Sequence, residues 1–198
     1  MIMRAAAWLL LGALPWGACG KPAPSTEKEH VMATSHSPTG LHWKGHTVAP
    51  IGIALAAVDG AVIAEGSEAG LRYFSQTAGP VRLAVRAGTG QDLASWRRTI
   101  AARNRITAGV EIPTTLCGVP ATKQEITADG ERIVGGFANE HSQIVERDMT
   151  EPTTVHVAVA AVLRGEPLLV MWSIESAQRD NYRDDEARFF ASVRCSSS

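Results

Sequence analysis

The stretch from Thr153 to Ile174 constrains the fold more than any other part of the chain. It opens with TTVHVAVAAVL, in which Val155, Val157, Val159, Ala161 and Leu163 share one side of an extended chain and His156, Ala158 and Ala160 share the other. Successive side chains of a strand point to opposite faces, so this alternation predicts a strand with one strongly apolar face. Arg164-Gly165-Glu166-Pro167 turns the chain. The following LLVMWSI, residues 168–174, is apolar on both faces, which predicts a central strand covered on two sides. Ala158 and Ala160 are small enough to let a helix approach that strand closely.

The other elements fit around this pair. IGIALAAV (51–58), AVIAE (61–65), LRYFSQ (71–76) and VRLAVR (81–86) are short apolar runs punctuated by Asp59-Gly60, Gly66 and Gly79-Pro80. That rhythm predicts strands and turns. QDLASWRRTIAARNR, residues 91–105, places Leu93, Trp96 and Ile100 on one helical face. Asp92 stands in its first turn and Arg103 and Arg105 in its last, as the helix dipole favours. ATKQEIT and ERIVGGF flank Ala128-Asp129-Gly130, and Asp-Gly between strand-like runs predicts a hairpin. The last element, DNYRDDEARFFASVRC, reads as a helix ending at Cys195. Asp180 is its cap, Asp184, Asp185 and Glu186 stand at its acidic start, and Phe189, Phe190 and Val193 form its apolar stripe. Strands, a helix, antiparallel strands and a terminal helix make an α+β fold: an antiparallel sheet with two principal helices packed on it.

The first residues are not part of that fold. Arg4 is followed by AAAWLLLGAL, long enough for a signal-peptide core and too short to span a bilayer as a helix. Gly17 and Ala18 are small, and Cys19 follows. WGAC with Gly20 after it resembles a bacterial lipobox, with Trp16 where leucine is usual. The resemblance implies that residues 1–18 are a signal peptide and that Cys19 becomes a lipidated N-terminus, its thiol carrying diacylglycerol and its amine acylated. Each buried methylene contributes about 0.8 kcal/mol to membrane binding, and stable anchoring takes more than one chain, which triacylation supplies. Gly20 stands where some bacteria use Asp to retain lipoproteins at the inner membrane, so the same resemblance implies the outer membrane of the cell envelope. The other reading is a secreted protein cut near Ala18.

The chain has three cysteines, an odd number for an exported protein. Assigning Cys19 to lipid leaves Cys117 and Cys195, and two thiols in an oxidising compartment suggest one disulfide. The alternative is two unpaired buried thiols. Residues 19–46 are rich in Pro, Ser, Thr and charge without an apolar period, and predict a flexible tether. The domain is expected to span 47–198. The segment from Lys21 to His46 holds His30, His36, His42 and His46, four of the six histidines, but no cysteine or carboxylate cage frames them, so no metal site is assigned.

The helix LASWRRTI, the strand within GVPATKQEIT and the closing EARFFASVRC are similar to the corresponding elements of the PsbP-like superfold. That resemblance implies an α/β/α sandwich and a binding or assembly role.

Chemistry is thinly marked. A formal net charge of -1 without a basic stripe excludes the electrostatic footprint of a nucleic-acid binder. Gly88-Thr89-Gly90 lies between a strand and a helix, as a phosphate loop does, but Leu93 stands where a third glycine is needed, and no Lys-Ser/Thr pair follows. Ser25-Thr26-Glu27-Lys28 matches S-x-x-K within the tether, where nothing positions it. Asp184, Asp185 and Glu186 are consecutive on a helix and point in different directions, so they do not form a metal cage. No catalytic residue and no cofactor is assigned. Two function classes follow. One is a non-enzymatic envelope lipoprotein whose domain binds a protein or small-ligand partner. The other is an envelope hydrolase using His141, with Glu140 and Asp148 nearby in sequence, or His156. A cleft joining either histidine to a carboxylate and a hydroxyl favours the enzyme. An exposed apolar patch favours the binding protein.

Overall fold

The computed structural model describes residues 37–130, 132–138 and 144–195. Among them the strands form three antiparallel sheets. The largest contains β3 (Ile63–Glu68), β4 (Leu71–Ala78), β5 (Val81–Ala87), β12 (Glu166–Glu175), β11 (Thr154–Leu163), β8 (Val119–Ala128) and β6 (Ile106–Ala108), in that order, with β7 (Ile112–Leu116) also paired to β8. A smaller sheet joins β1 (Trp43–Val48), β2 (Ile53–Val58) and β13 (Arg194–Cys195). β9 (Arg132–Ala138) and β10 (Ile144–Thr150) form a separate ribbon.

β12 lies between β5 and β11 and is covered on both faces, which is why its sequence has no polar side. Leu168, Val170, Trp172 and Ile174 enter one core together with Val155, Val157 and Val159 of β11 and the buried residues of β2. Leu169 and Met171 enter the other, where Leu93 and Trp96 of α1 (Leu93–Ala101) pack on Ile126 and Ala158. The alanines of β11 therefore do admit a helix. Each large apolar side chain buried in this way contributes roughly 1.5–3 kcal/mol. An aromatic chain runs through the first core: Trp43 stacks on Trp172 at 6.3 Å, and Trp172 meets Phe189 at 5.9 Å. Phe189 belongs to α2 (Arg183–Ser192), which follows a 3-10 helix at Ser176–Tyr182.

Four expectations change. First, residues 37–46, expected in the tether, lie within the described structure, and β1 begins at Trp43, ahead of the expected boundary at Thr47. The apolar content of β1 is confined to its two ends, Trp43 and Val48, both buried, so averaged composition reads it as tether. Second, α1 ends at Ala101, and Arg103 and Arg105 lie beyond it. Third, Asp129-Gly130 does not close a hairpin. β8 pairs with β11 and β9 with β10, so the ribbon is inserted in sequence between two neighbouring strands. Gly130 serves a close approach instead: a Cβ there would stand 1.6 Å from the Glu151 carbonyl oxygen, where the chain returns to the sheet. Fourth, the terminal helix stops at Ser192, and Cys195 lies in β13 against β2. The Ser192 hydroxyl donates to the Phe189 carbonyl at 2.6 Å and accepts the Ala56 amide at 2.8 Å. A serine bonded to local backbone competes with helix continuation. Asp180 does not cap α2, because its carboxylate accepts from the Arg183 side chain.

Candidate functional site

The cysteine assignments separate here. Cys117 and Cys195 are joined by a disulfide with their Cα atoms 5.4 Å apart, tying the turn after β7 to β13. Cys19 lies outside the described residues, as do His30, His36, Ser25-Thr26-Glu27-Lys28, Glu140 and His141. Of the tether histidines, His46 is in β1, where its Nε2 meets a Glu65 carboxylate oxygen at 2.9 Å and its ring packs on Phe74 at 5.4 Å. His42 is exposed. Among the described residues no three His, Cys, Asp or Glu side chains converge to hold a metal ion.

The three acids at the start of α2 have different roles. Asp184 is exposed, whereas Asp185 is 1% exposed and accepts from Ser37 Oγ at 2.7 Å, Thr39 Oγ1 at 2.6 Å and Trp43 Nε1 at 2.9 Å. Asp185 thus clasps the segment ahead of β1 to the C-terminal helix. Glu186 is buried and pairs with Lys123 at 3.2 Å. Lys123 also stands over the Phe190 ring at 5.4 Å. The glycine at position 88 is structural: a Cβ would stand 2.5 Å from the Gly70 carbonyl oxygen, and φ is +131°. Gly88 is needed to let two loops touch, which accounts for it without a phosphate.

His156 is the titratable group with the most perturbed environment. It projects from β11 toward α1, with its Nδ1 2.8 Å from Ser173 Oγ and the Trp96 ring edge-on at 6.4 Å. Burial, and secondarily the nearby Arg82 guanidinium, push its pKa down from 6.5 to about 4, so the ring is neutral at pH 7. Among the described residues no carboxylate comes within hydrogen-bond reach of this ring. The pair therefore lacks the group that would orient and charge-stabilise a catalytic imidazole. Ser173 lies within a strand paired on both sides, not on an exposed elbow.

Strand register extends this pair into a row. His156 stands opposite Ser173, Ser173 opposite Arg82 of β5, and Arg82 opposite Thr77 of β4, all on the face of the sheet that carries α1. Thr77, Arg82 and Ser173 of the row line a cavity of about 240 Å³ together with Thr154, Glu151 and Glu175. Sequence reasoning singled out His156 and missed Arg82 and Ser173. The strand alternation that puts Val81, Leu83 and Val85 inside also puts Arg82 outward, but only the cross-strand register brings it beside Ser173.

A second concavity, about 480 Å³, opens at the start of α1. Leu93, Ala94, Pro120, Ala160, Val162 and Pro167 give it an apolar lining. Val162 is 61% exposed there, and Val110 and Ile112, on the chain leading into and through β7, are exposed as well. The groove exists because β11 outruns the helix that covers it. Its α1-side residues are Ala158 beneath the helix, Ala160 at the margin and Val162 beyond it.

No protein-family model matches this chain, and no curated protein matches it. Among solved structures it is similar to the cyanobacterial PsbP (CyanoP) of Synechocystis sp. PCC 6803, with 12% identity and a TM-score of 0.49 over 91% of this chain and 98% of that one. It is also similar to the Ran-binding protein Mog1p of Saccharomyces cerevisiae, with 8% identity and a TM-score of 0.43 over 78% of this chain and 95% of that one.

Proposed function

We propose that this chain is an envelope lipoprotein, anchored through Cys19 and carrying a binding or assembly domain without catalytic activity. The observation that carries the binding role is the open apolar groove at the start of α1. Exposed apolar surface gathered in a concavity marks interaction sites more often than scattered single residues do. The layer order, with α1 on one face of the sheet and the small sheet with α2 on the other, supports a PsbP-like sandwich. The lipobox-like WGAC supports the anchor and the outer-membrane address. The partner is a protein of the same compartment.

The test is photocrosslinking in intact envelopes, with a photoreactive amino acid at Val162 or, as the control, at Val62, which is 85% exposed on the β2–β3 connection. The expected result is a discrete protein adduct from position 162 that Val162→Asp abolishes in co-purification, with no such adduct from position 62. Identical patterns from both positions, or none from 162, would overturn the groove as the binding face.

A further inference from the structure

We infer that the cavity bordered by Arg82, Ser173 and Glu175 is a second binding site, and that its ligand is a small zwitterion carrying both a carboxylate and an ammonium group, of the amino-acid type. The first reason is unspent charge. Arg72 pairs with Glu166, Arg179 with Glu125 and Lys123 with Glu186, whereas Arg82 and Arg86 of β5 form no ion pair among the described residues, and of these two only Arg82 shares a cavity with carboxylates. Arg82, Glu151 and Glu175 line one cavity, yet among the described residues none of the three forms an ion pair. Opposite charges facing a shared space without touching leave room for a ligand that bridges them.

The second reason is position. Arg82 and Ser173 are direct cross-strand neighbours, so a guanidinium and a hydroxyl point into the cavity from adjacent strands. Glu175 lies two residues beyond Ser173 on the same strand and therefore on the same face. Thr77 adds a hydroxyl opposite Arg82. The guanidinium fork matches a carboxylate with two parallel hydrogen bonds. With the proton of the neutral His156 ring on Nδ1, Ser173 accepts from that nitrogen at 2.8 Å and its own O–H is free to donate to the same carboxylate. Glu151 and Glu175 then receive the ammonium and repel dianions. A cavity of about 240 Å³ suits a small amino acid. Drug-sized ligands occupy roughly 300–1,000 Å³.

His156 is the reporter for the test, because it touches Ser173 while being shielded from solvent. The full chain, isotopically labelled at histidine, is titrated with L-alanine, acetate or ethylammonium while the His156 ring resonance is followed. The expected result is a saturable shift with L-alanine and at least tenfold weaker binding of acetate and of ethylammonium. Arg82→Gln should weaken alanine at least tenfold. Glu175→Gln should weaken alanine and leave acetate unchanged. Arg86→Gln, four residues along the same strand and outside the cavity, should change nothing. Acetate binding as tightly as alanine would overturn the zwitterion assignment. An absent alanine response, or an equal loss in Arg86→Gln, would overturn the site itself.

Discussion

At the scale of single residues, Asp185 and His156 make opposite use of burial. Asp185 looks in sequence like its neighbours Asp184 and Glu186, but its carboxylate is the common acceptor for three side-chain donors. Asp185→Ala removes the acceptor that Ser37, Thr39 and Trp43 share and leaves the buried Trp43 Nε1 unpaired, and it should cost about 3–5 kcal/mol, against about 0.5 kcal/mol or less for Asp184→Ala, read from urea unfolding. Equal losses would mean that helix-dipole complementation is the whole role of the cluster. His156 is kept neutral by burial and by Arg82. Its folded pKa lies below its unfolded value, so its contribution to stability is fully present above pH 6.5 and is lost as pH falls toward about 4. The loss over that window amounts to about 3 kcal/mol, and His156→Gln should flatten it. An unchanged acid slope in the variant would show that other groups govern it. The alternation of β11 already placed His156 on the less apolar face. Its partner Ser173 and its neighbour Arg82 come from other strands, at separations that one sequence does not encode as a pattern.

At the scale of elements, the disulfide and the α1 interface carry the sharpest tests. Cys117 and Cys195 are 78 residues apart, so the chain-entropy model gives about 4–5 kcal/mol for the closed loop. Cys117→Ala, Cys195→Ala and the double variant should lose similar amounts of stability, because all three lose one bond. Additive losses would indicate separate packing roles that outweigh the cross-link. Ala158 is fully buried beneath α1. Ala158→Leu should cost about 1–3 kcal/mol by overfilling that contact, whereas Val162→Leu, beyond the helix, should be nearly neutral. These elements were legible because their patterns are local: alternation in β11, two apolar faces in β12, one stripe in α1. The ends of elements were less legible. α2 stops where Ser192 turns to the backbone and Val193 becomes extended, and that stop depends on the Ala56 amide of a distant strand. β1 escaped because a strand with buried residues only at its ends has no period to detect.

At the scale of the whole molecule, the α+β class and the coverage of the central strand followed from the sequence, while the order of strands did not. Asp129-Gly130 was read by its local turn chemistry, but the long pairing of β8 with β11 prevails, and the glycine serves a backbone contact instead. The anchor makes a separate prediction. Cys19→Ser should release the chain from membranes or leave an uncleaved precursor, seen by fractionation and metabolic lipid labelling. A variant that matures and partitions like the parent would end the lipoprotein reading. The contact between Gly130 and Glu151 has one more consequence. Because Gly130 and Glu151 touch where the chain leaves and rejoins the sheet, the two ends of the β9–β10 insertion already meet. Excising residues 131–150 and joining Gly130 to Glu151 should leave β8 and β11 as a plain hairpin, with cooperative melting and the Cys117–Cys195 bond retained. The same junction should accept a foreign hairpin or small domain in place of the ribbon, which makes it the natural grafting point of this fold.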